Sequence, residues 1–302
     1  MFYTIDDVVR FARMFRGLKI DVSDELRGWR WSDYPLMYPF SFRLSLSDVA
    51  NGFCETGRFV YVKYVVKARE KVNWRVKRGS LIHKVYAEAV RVAKSAVYDG
   101  VVDSDEFKVR FMGEGERVRA EVLKGYGDVP RAELIFDKLW SYAADVYASS
   151  LVRARSKSPY LSLDSLAYLT VPLTAEYPID GGLIGLTGAI RVDALLHPNI
   201  MVEVKTREFH PDYELGLAGY ALAFESQYET PVNFAVLAQV RLTDNGSFKL
   251  YERIIRLDDQ LRTRFIERRD QLAKIVEDQV DPGKPSRCHA DCPYRQVCLE
   301  GG

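Results

Sequence analysis

Apolar and polar residues alternate with two different periods along the chain, and the period changes near Pro172. Before that residue, apolar positions recur at helical spacing and predict helices over about 79–98 and 130–157. After it, AIRVDALL and IMVEVKT are separated by a His-Pro-Asn turn and have the composition of two strands in an antiparallel hairpin. The pattern predicts a mixed fold, α/β of the α+β kind.

Further elements follow the predicted hairpin. Residues 213–227 return to helical spacing, 232–242 form another strand, and 257–280 have the charge pattern of a long, exposed amphipathic helix. The sequence DPGKP then interrupts the chain before a cysteine-rich tail. The coarse order is helix, hairpin, helix, strand and helix.

The first 44 residues combine a short amphipathic stretch with the run RGWRWSDYPLMYPF, which predicts an irregular extension. Leu44 then begins a residue or two of strand, and Ser47 is the predicted cap of a short helix that leads to Cys54. We therefore expect an extension (1–44), a main domain (45–280) with a helical insertion around 100–165, and a tail (281–302) packed against the Cys54 region.

Composition restricts the class of protein only in part. Lys and Arg total 43 against 42 Asp and Glu, so net charge gives no argument for a nucleic-acid partner. Hydrophobic residues make up 47% of the chain, enough for a substantial core. No signal-peptide h-region and no apolar run of transmembrane length is visible, so we expect a cytoplasmic protein without membrane contact.

The most basic stretch runs from Arg58 to Lys84. It contains nine Lys or Arg residues and one acid, Glu70, with aromatic residues interleaved. Such a segment can contact the phosphates and bases of a nucleic acid. A solvated helical surface with a few core aromatics explains it equally well.

Asp193, Glu203 and Lys205 lie on the two strands of the predicted hairpin. Residues two apart on a strand face the same way, so Glu203 and Lys205 project together, and the hairpin can bring Asp193 beside them. Two carboxylates suit magnesium or manganese, and Lys205 would orient or help to deprotonate an attacking water. An isolated Glu-x-Lys is more often a solvated pair, but Asp193 at this spacing favours a metal site.

Histidines and one further acid are weaker candidates. His83, in RGSLIH at the start of a predicted helix, could supply a nitrogen ligand, although most lone helical histidines are packed or surface residues. His197 and His210 lie in turns and receive no role. Glu176 could add a ligand, but an exposed strand acid is the simpler interpretation.

The cysteines are spaced for a metal centre. Cys288, Cys292 and Cys298 occur in CHADCPYRQVC, and Cys54 is the remaining candidate for a fourth ligand. Structural zinc usually uses paired knuckles, whereas an iron-sulfur cluster accommodates one distant and three clustered cysteines. Two disulfides are the alternative that the even count allows. Each arrangement ties Cys54 to the C-terminus.

In this order, the segments resemble the CRISPR-associated RecB-like exonucleases, the fourth core Cas family of the PD-(D/E)xK nuclease superfamily. LSLSDVANGFCETGRFVYVKYV resembles the family's opening helix and first cluster cysteine, and GSLIH its histidine motif. GAIRVDALL and VEVKT resemble its aspartate and Glu-x-Lys strands, and CHADCPYRQVC its cysteine triplet. The resemblance covers residues 44–302, and RGWRW with the helical block resembles the larger archaeal subtype I-A branch.

The resemblance implies a role for each matching residue. A manganese or magnesium ion would be held by His83, Asp193, Glu203 and the carbonyl of Val204, with Lys205 catalytic and Tyr220 positioning the substrate. A 4Fe-4S cluster would be held by Cys54, Cys288, Cys292 and Cys298. The triplet more often begins C-x2-C, so the extra residue here leaves a 2Fe-2S cluster open.

The resemblance also implies an activity: hydrolysis of single-stranded DNA ends, with the product passed to CRISPR integrase proteins during spacer acquisition. One residue departs from the pattern, because Gly216 stands where the family usually has Gln, four residues before Tyr220. The alternative is therefore a catalytically weakened iron-sulfur scaffold that binds DNA or the integrase. A zinc-stabilised DNA-binding module is a third interpretation.

Overall fold

A five-stranded mixed sheet lies at the centre of the computed structural model, which describes residues 1–158, 160–243, 247–289 and 292–300. The strands follow chain order across the sheet: β1 (Leu173–Asp180), β2 (Ala189–Leu196), β3 (Ile200–Lys205), β4 (Phe234–Leu242) and β5 (Phe248–Arg256). β3 and β4 are parallel and the other neighbours antiparallel. The mixed α/β class and the β2–β3 hairpin are confirmed.

Helices surround the sheet. They are α1 (Ile5–Arg16), α2 (Leu46–Val49), α3 (Arg58–Val60), α4 (Trp74–Tyr98), α5 (Ser104–Leu123), α6 (Ala132–Lys157), α7 (Leu163–Thr170), α8 (Tyr213–Tyr228), α9 (Asp259–Asp278) and α10 (Arg295–Glu300). The coarse order omitted β1 and β5. The charged residues of both segments and the proline of β1 obscure the alternating pattern of a strand. Pairing with a neighbouring strand nevertheless stabilises the extended conformation.

Two hydrophobic clusters cover opposite faces of the sheet. One contains buried residues of α1 and α4–α7, and the other contains those of α8 and α9. Successive residues of a strand face opposite sides, so Val202 and Val204 join the first cluster while Met201 joins the second. Glu203 and Lys205 therefore lie on the α8–α9 face.

The first 44 residues pack against both clusters. Tyr3 and Phe11 are buried in the first, and Leu26 and Leu36 in the second. The amphipathic stretch forms α1, and part of the aromatic run forms a 3-10 turn at Gly28–Arg30. The domain boundaries stay a prediction.

Two predicted helix starts were wrong. Ser45, not Ser47, caps α2, because its hydroxyl accepts a hydrogen bond from the Asp48 amide at 3.2 Å. Asn73 caps α4 several residues before the predicted start, because its side chain accepts from two amides of the first turn. His83 therefore lies in the third turn of α4 rather than at its beginning.

The prediction of an exposed amphipathic helix at α9 was wrong for two of its arginines. Arg262 and Arg269 have fully buried side chains. Arg262 pairs with the buried Glu225 of α8 at 2.7 Å, and Arg269 donates to the carbonyls of Leu36 and Ile184. These partners come from distant parts of the chain, so the charge pattern of α9 alone does not reveal them.

Candidate active site

The strands β2 and β3 separate at the point where two acids meet. Their last paired residues are Ala194 and Val202, so Asp193 and Glu203 are the next residues in register. Instead of a further backbone pair, the Val204 amide donates to Asp193 Oδ2 at 2.6 Å. Both acids are 8% exposed, so this fork places two carboxylates in a largely buried position.

His83 reaches the same place from α4. Its Nδ1 lies 2.8 Å from Asp193 Oδ1. Burial alone would lower the pKa of His83, but the attraction of Asp193 outweighs it and raises that pKa. Burial alone would likewise raise the pKa of Asp193, but His83, Lys205 and the Val204 amide together lower it. The two side chains therefore stabilise each other's charged forms.

Lys205 completes the predicted group. Its Nζ lies 2.5 Å from Glu203 Oε1 and 5.0 Å from the ring centroid of Tyr213. Glu203 Oε2 is buried and has no hydrogen-bond partner among the described residues. One carboxylate oxygen at this site therefore remains available to a further ligand.

Glu176 belongs to this site, so its interpretation as an exposed strand acid was wrong. It has a φ of +50° and lies opposite Asp193, between the β1–β2 pairs Ala175–Ala194 and Tyr177–Val192. Single ligand atoms of Glu176, Asp193 and His83 lie within 4.8 Å of one another. No pattern in β1 predicts this position, because it depends on the β1–β2 register.

The negative charges of the carboxylates at this site repel one another. Burial and then Asp193 raise the pKa of Glu203 to about 7, although Lys205 and His83 oppose the shift. The same two causes raise the pKa of Glu176. Three acids beside one imidazole and one ammonium leave negative charge that a bound cation would neutralise.

A cleft of about 460 Å³ opens over this group. His83, Glu203, Lys205 and Tyr220 line it, and Val204 lies between the two charged residues of β3. The Tyr220 hydroxyl donates to the carbonyl of Arg191 at 2.5 Å. Gly216 lines the same cleft. The site residues predicted from sequence thus line one cleft, except Asp193, which contacts two of the lining residues, His83 and Val204.

The four cysteines lie near one another on the α8–α9 side of the sheet, and Phe53 and Pro293, which adjoin Cys54 and Cys292, line the cleft. Cys54 and Cys298 are buried, Cys288 and Cys292 are half-buried, and all four are free thiols. Burial raises the pKa of Cys292 to about 11, and the three other cysteines contribute to that increase. Ala290 and Asp291 of the triplet lie outside the described residues. None of the four forms a disulfide in this structure.

The whole chain matches one protein family. Its model is described as CRISPR-associated exonuclease Csa1 and matches residues 1–301. The chain belongs to the Csa1 family. Two relatives carry the same description: the Saccharolobus solfataricus protein is 36% identical over 99% of both chains, and the Thermoproteus tenax protein is 31% identical over 96% of this chain and 98% of the relative. The resemblance to CRISPR-associated exonucleases is confirmed.

The basic stretch of this Csa1-family chain divides into two parts. Arg58 is buried, pairs with Asp281 at 2.7 Å and donates to the Cys298 carbonyl, so it holds the tail in place. Lys63 pairs with Asp48 at 2.8 Å. These two cations have structural partners, so in this part of the stretch neither DNA contact nor a fully solvated surface describes them.

The second part borders the cleft. Lys71 and Arg75 of the stretch line it, together with Arg207 from the loop after β3, and Trp74 is 41% exposed nearby. Arg75 and Arg78 each lie 5.4 Å from the Trp74 ring centroid. In the described part of this Csa1-family chain, no helix is long and apolar enough to cross a membrane.

Proposed function

We propose that this chain is a metal-dependent deoxyribonuclease that shortens single-stranded DNA from its ends. The observation that carries the proposal is the buried pair of Asp193 and Glu203 at the β2–β3 fork, with His83 and Lys205 in direct contact. Membership of a family described as an exonuclease supports the nuclease assignment. The fork and its Glu-x-Lys strand are also our basis for proposing a RecB-like PD-(D/E)xK core.

The donor set fits a hard divalent cation. The unpartnered oxygen of Glu203 and the close group of Glu176, Asp193 and His83 supply carboxylate oxygens and one imidazole nitrogen. Magnesium and manganese prefer such ligands. We assign His83, Asp193 and Glu203 as ligands, with the Val204 carbonyl as a fourth and Glu176 as an addition to the predicted set.

When bound, such a cation neutralises charge on the phosphodiester and lowers the pKa of a coordinated water. Lys205 keeps its ammonium charged, because Glu203 and Asp193 outweigh burial and raise its pKa. The ammonium can therefore hold a water or the developing charge on a phosphate oxygen. Tyr220, anchored on the Arg191 carbonyl, forms a fixed wall against which the substrate is positioned.

We propose further that Cys54, Cys288, Cys292 and Cys298 bind a 4Fe-4S cluster. The spacing of the cysteines along the chain supports a cluster over zinc, because structural zinc usually uses paired knuckles, whereas an iron-sulfur cluster accommodates one distant and three clustered cysteines. A 2Fe-2S cluster is the second choice.

The biological role we propose is spacer acquisition. The relatives' names place the family with CRISPR systems. An exonuclease there would trim DNA before integration, with CRISPR integrase proteins as partners.

The proposal is tested by assaying the anaerobically purified protein on 5′- and 3′-labelled single-stranded DNA with manganese or magnesium. Wild type is expected to shorten one labelled end, and Glu203→Ala to lose cleavage. Glu208→Ala, in an exposed acid of the following loop, is the matched control and should cleave like wild type. A cluster-loaded wild type that leaves both ends intact would contradict the proposal.

A scaffold that binds DNA or the integrase without efficient cleavage is the second candidate, and Gly216 favours it. This residue lines the cleft where a polar side chain is expected. A Cβ added there would meet Ala50 Cβ at 3.4 Å, an ordinary contact, so Gly216→Gln should fold. Cleavage that appears only in Gly216→Gln would support the scaffold, whereas an active wild type would exclude it.

A further inference from the structure

The face of the sheet that carries the catalytic candidates continues beyond them. In the parallel β3–β4 register, Glu203 pairs with Leu237 and Lys205 with Gln239. In the antiparallel β4–β5 register, Leu237 pairs with Arg253 and Gln239 with Tyr251. Paired residues project to the same side of a sheet, so these rows run from the active site to the edge strand.

Beyond the site, this face is basic and aromatic. Arg241, Lys249, Tyr251 and Arg253 are exposed. A cavity of about 530 Å³ is lined by Arg241, Tyr251 and Arg253 together with Phe209, which follows β3. We call Phe209, Arg241, Lys249, Tyr251 and Arg253 the β4–β5 strip.

Arginine and aromatic side chains within the strip lie close together. The guanidinium of Arg253 lies 3.9 Å from the Phe209 ring centroid, and that of Arg241 lies 5.6 Å from the Tyr251 centroid. These contacts hold flat, charged groups and rings at the surface without removing their charge. Such pairs can stack on bases and contact phosphates at the same time.

Within the described residues, the charge of the strip is largely uncompensated. In the described ranges, no carboxylate lies within ion-pair distance of Arg241, Lys249 or Arg253. Glu252 also lines the cavity of the strip, but its carboxylate pairs with Arg10 of α1 at 2.8 Å. Burial raises the pKa of Glu214, and Arg253 lies close enough to oppose that increase. An anionic occupant therefore fits the strip.

The strip is also joined to the catalytic cleft. Gln239 Nε2 donates to the carbonyl of Arg207 at 2.5 Å, and Arg207 lines that cleft. Two strand spacings separate β3 from β5, which is about 10 Å. Nucleotides flanking a phosphate bound beside Lys205 can therefore reach the strip.

We infer that the β4–β5 strip binds the single-stranded DNA beside the scissile phosphate, through arginine contacts to phosphates and stacking of bases on Tyr251 and Phe209. This inference rests on the proposed nuclease function for the position of the scissile phosphate. The prediction for the strip itself concerns only the affinity for DNA and not cleavage. It would hold the strand without sequence preference, as stacking and phosphate contacts do.

The test measures the Kd of a labelled single strand of about 20 nucleotides, a length that covers the usual site size. Chelator is present, so no cleavage occurs. Arg241→Ala/Arg253→Ala should weaken binding about tenfold or more and reduce the dependence of log K on log salt by about 0.7 for each phosphate that the variant no longer neutralises. Tyr251→Ala should weaken binding about fivefold or more, whereas Tyr251→Phe should bind like wild type because the aromatic ring remains.

Arg13→Ala/Arg16→Ala is the matched control. Both arginines are exposed on α1, which packs on the other face of the sheet, so this variant should bind like wild type. Equal affinities for the strip variants and the control would overturn the inference even if wild type cleaves DNA. Weakened binding in the strip variants would support the strip as a DNA-binding surface. If wild type also proved unable to cleave DNA, that result would count only against the proposed nuclease function.

Discussion

The Val204 amide donates to the Asp193 carboxylate at 2.6 Å where β2 and β3 cease to pair. This bond replaces a rung of the strand ladder with a side chain. As a result, Asp193 and Glu203 stay opposite each other although the strands separate. The same bond turns Asp193 away from solvent and toward His83, which contacts its second oxygen. The geometry of the whole site thus depends on this short interruption of the ladder.

Glu176 is expected to contribute to metal affinity. Glu176→Gln removes the negative charge of one of three groups whose ligand atoms lie within 4.8 Å of one another, so the affinity for manganese should fall about tenfold or more. Isothermal titration of the metal-free protein measures this directly. Glu208→Gln should titrate like wild type, and an unchanged affinity in Glu176→Gln would remove Glu176 from the ligand set.

Glu203 should make the stability of the metal-free protein depend on pH. Its pKa is about 7 in the folded chain against an ordinary 4.5. Between these values the folded state binds the proton more tightly than the unfolded state, so the free energy of unfolding contributed by this group falls as pH rises. Glu203→Gln cannot show this loss.

The measurement is the Tm of both proteins in chelator, from about pH 5 to about pH 8, the window in which the two pKa values lie. The Tm of Glu203→Gln minus that of wild type should increase steadily across this range. A difference that does not change with pH would show that Glu203 titrates normally.

Cys54 is expected to hold the tail through the cluster. Cys54→Ser should abolish the brown colour and charge-transfer absorption of anaerobically purified protein, and trypsin should cut the tail after Arg287 faster. Ser286→Ala removes a hydrogen bond of 2.9 Å between the tail and Glu55 but no thiol, so it should keep its colour. A coloured Cys54→Ser protein would mean that the four cysteines do not share one centre.

Glu225 stabilises the junction between the N-terminal segment and the sheet. Its carboxylate binds Arg262 and Arg27 and accepts from the amides of Gly28 and Val232. Glu225→Ala leaves the fully buried Arg262 without its counter-ion, so urea unfolding should show a loss of about 3–5 kcal/mol. Glu267→Ala, at an exposed acid of α9, should have a much smaller effect. Equal losses in both variants would contradict this role.

Strand periodicity was enough to bring Asp193, Glu203 and Lys205 together, because a hairpin and a two-residue spacing fix which way side chains point. His83 was found through its motif, although its place within α4 was not, since the Asn73 cap precedes a strongly basic turn. In both cases the information lies within a few residues of the chain.

Other features depend on contacts between distant segments. Glu176 enters the site through the β1–β2 register, and Arg262 is buried because Glu225 lies opposite it. The β4–β5 strip depends on β5, which the sequence pattern did not indicate. A sequence pattern reports the preference of one segment, whereas these positions are decided by its partner.

The most direct test of the account is single-turnover cleavage of end-labelled DNA by Lys205→Met, with the Kd for the same strand measured in chelator. Cleavage should fall by about a hundredfold to ten-thousandfold, while affinity should stay within about threefold of wild type. Lys138→Met, in an exposed lysine of α6, should match wild type in both measurements. Undiminished cleavage by Lys205→Met would contradict the proposed active site.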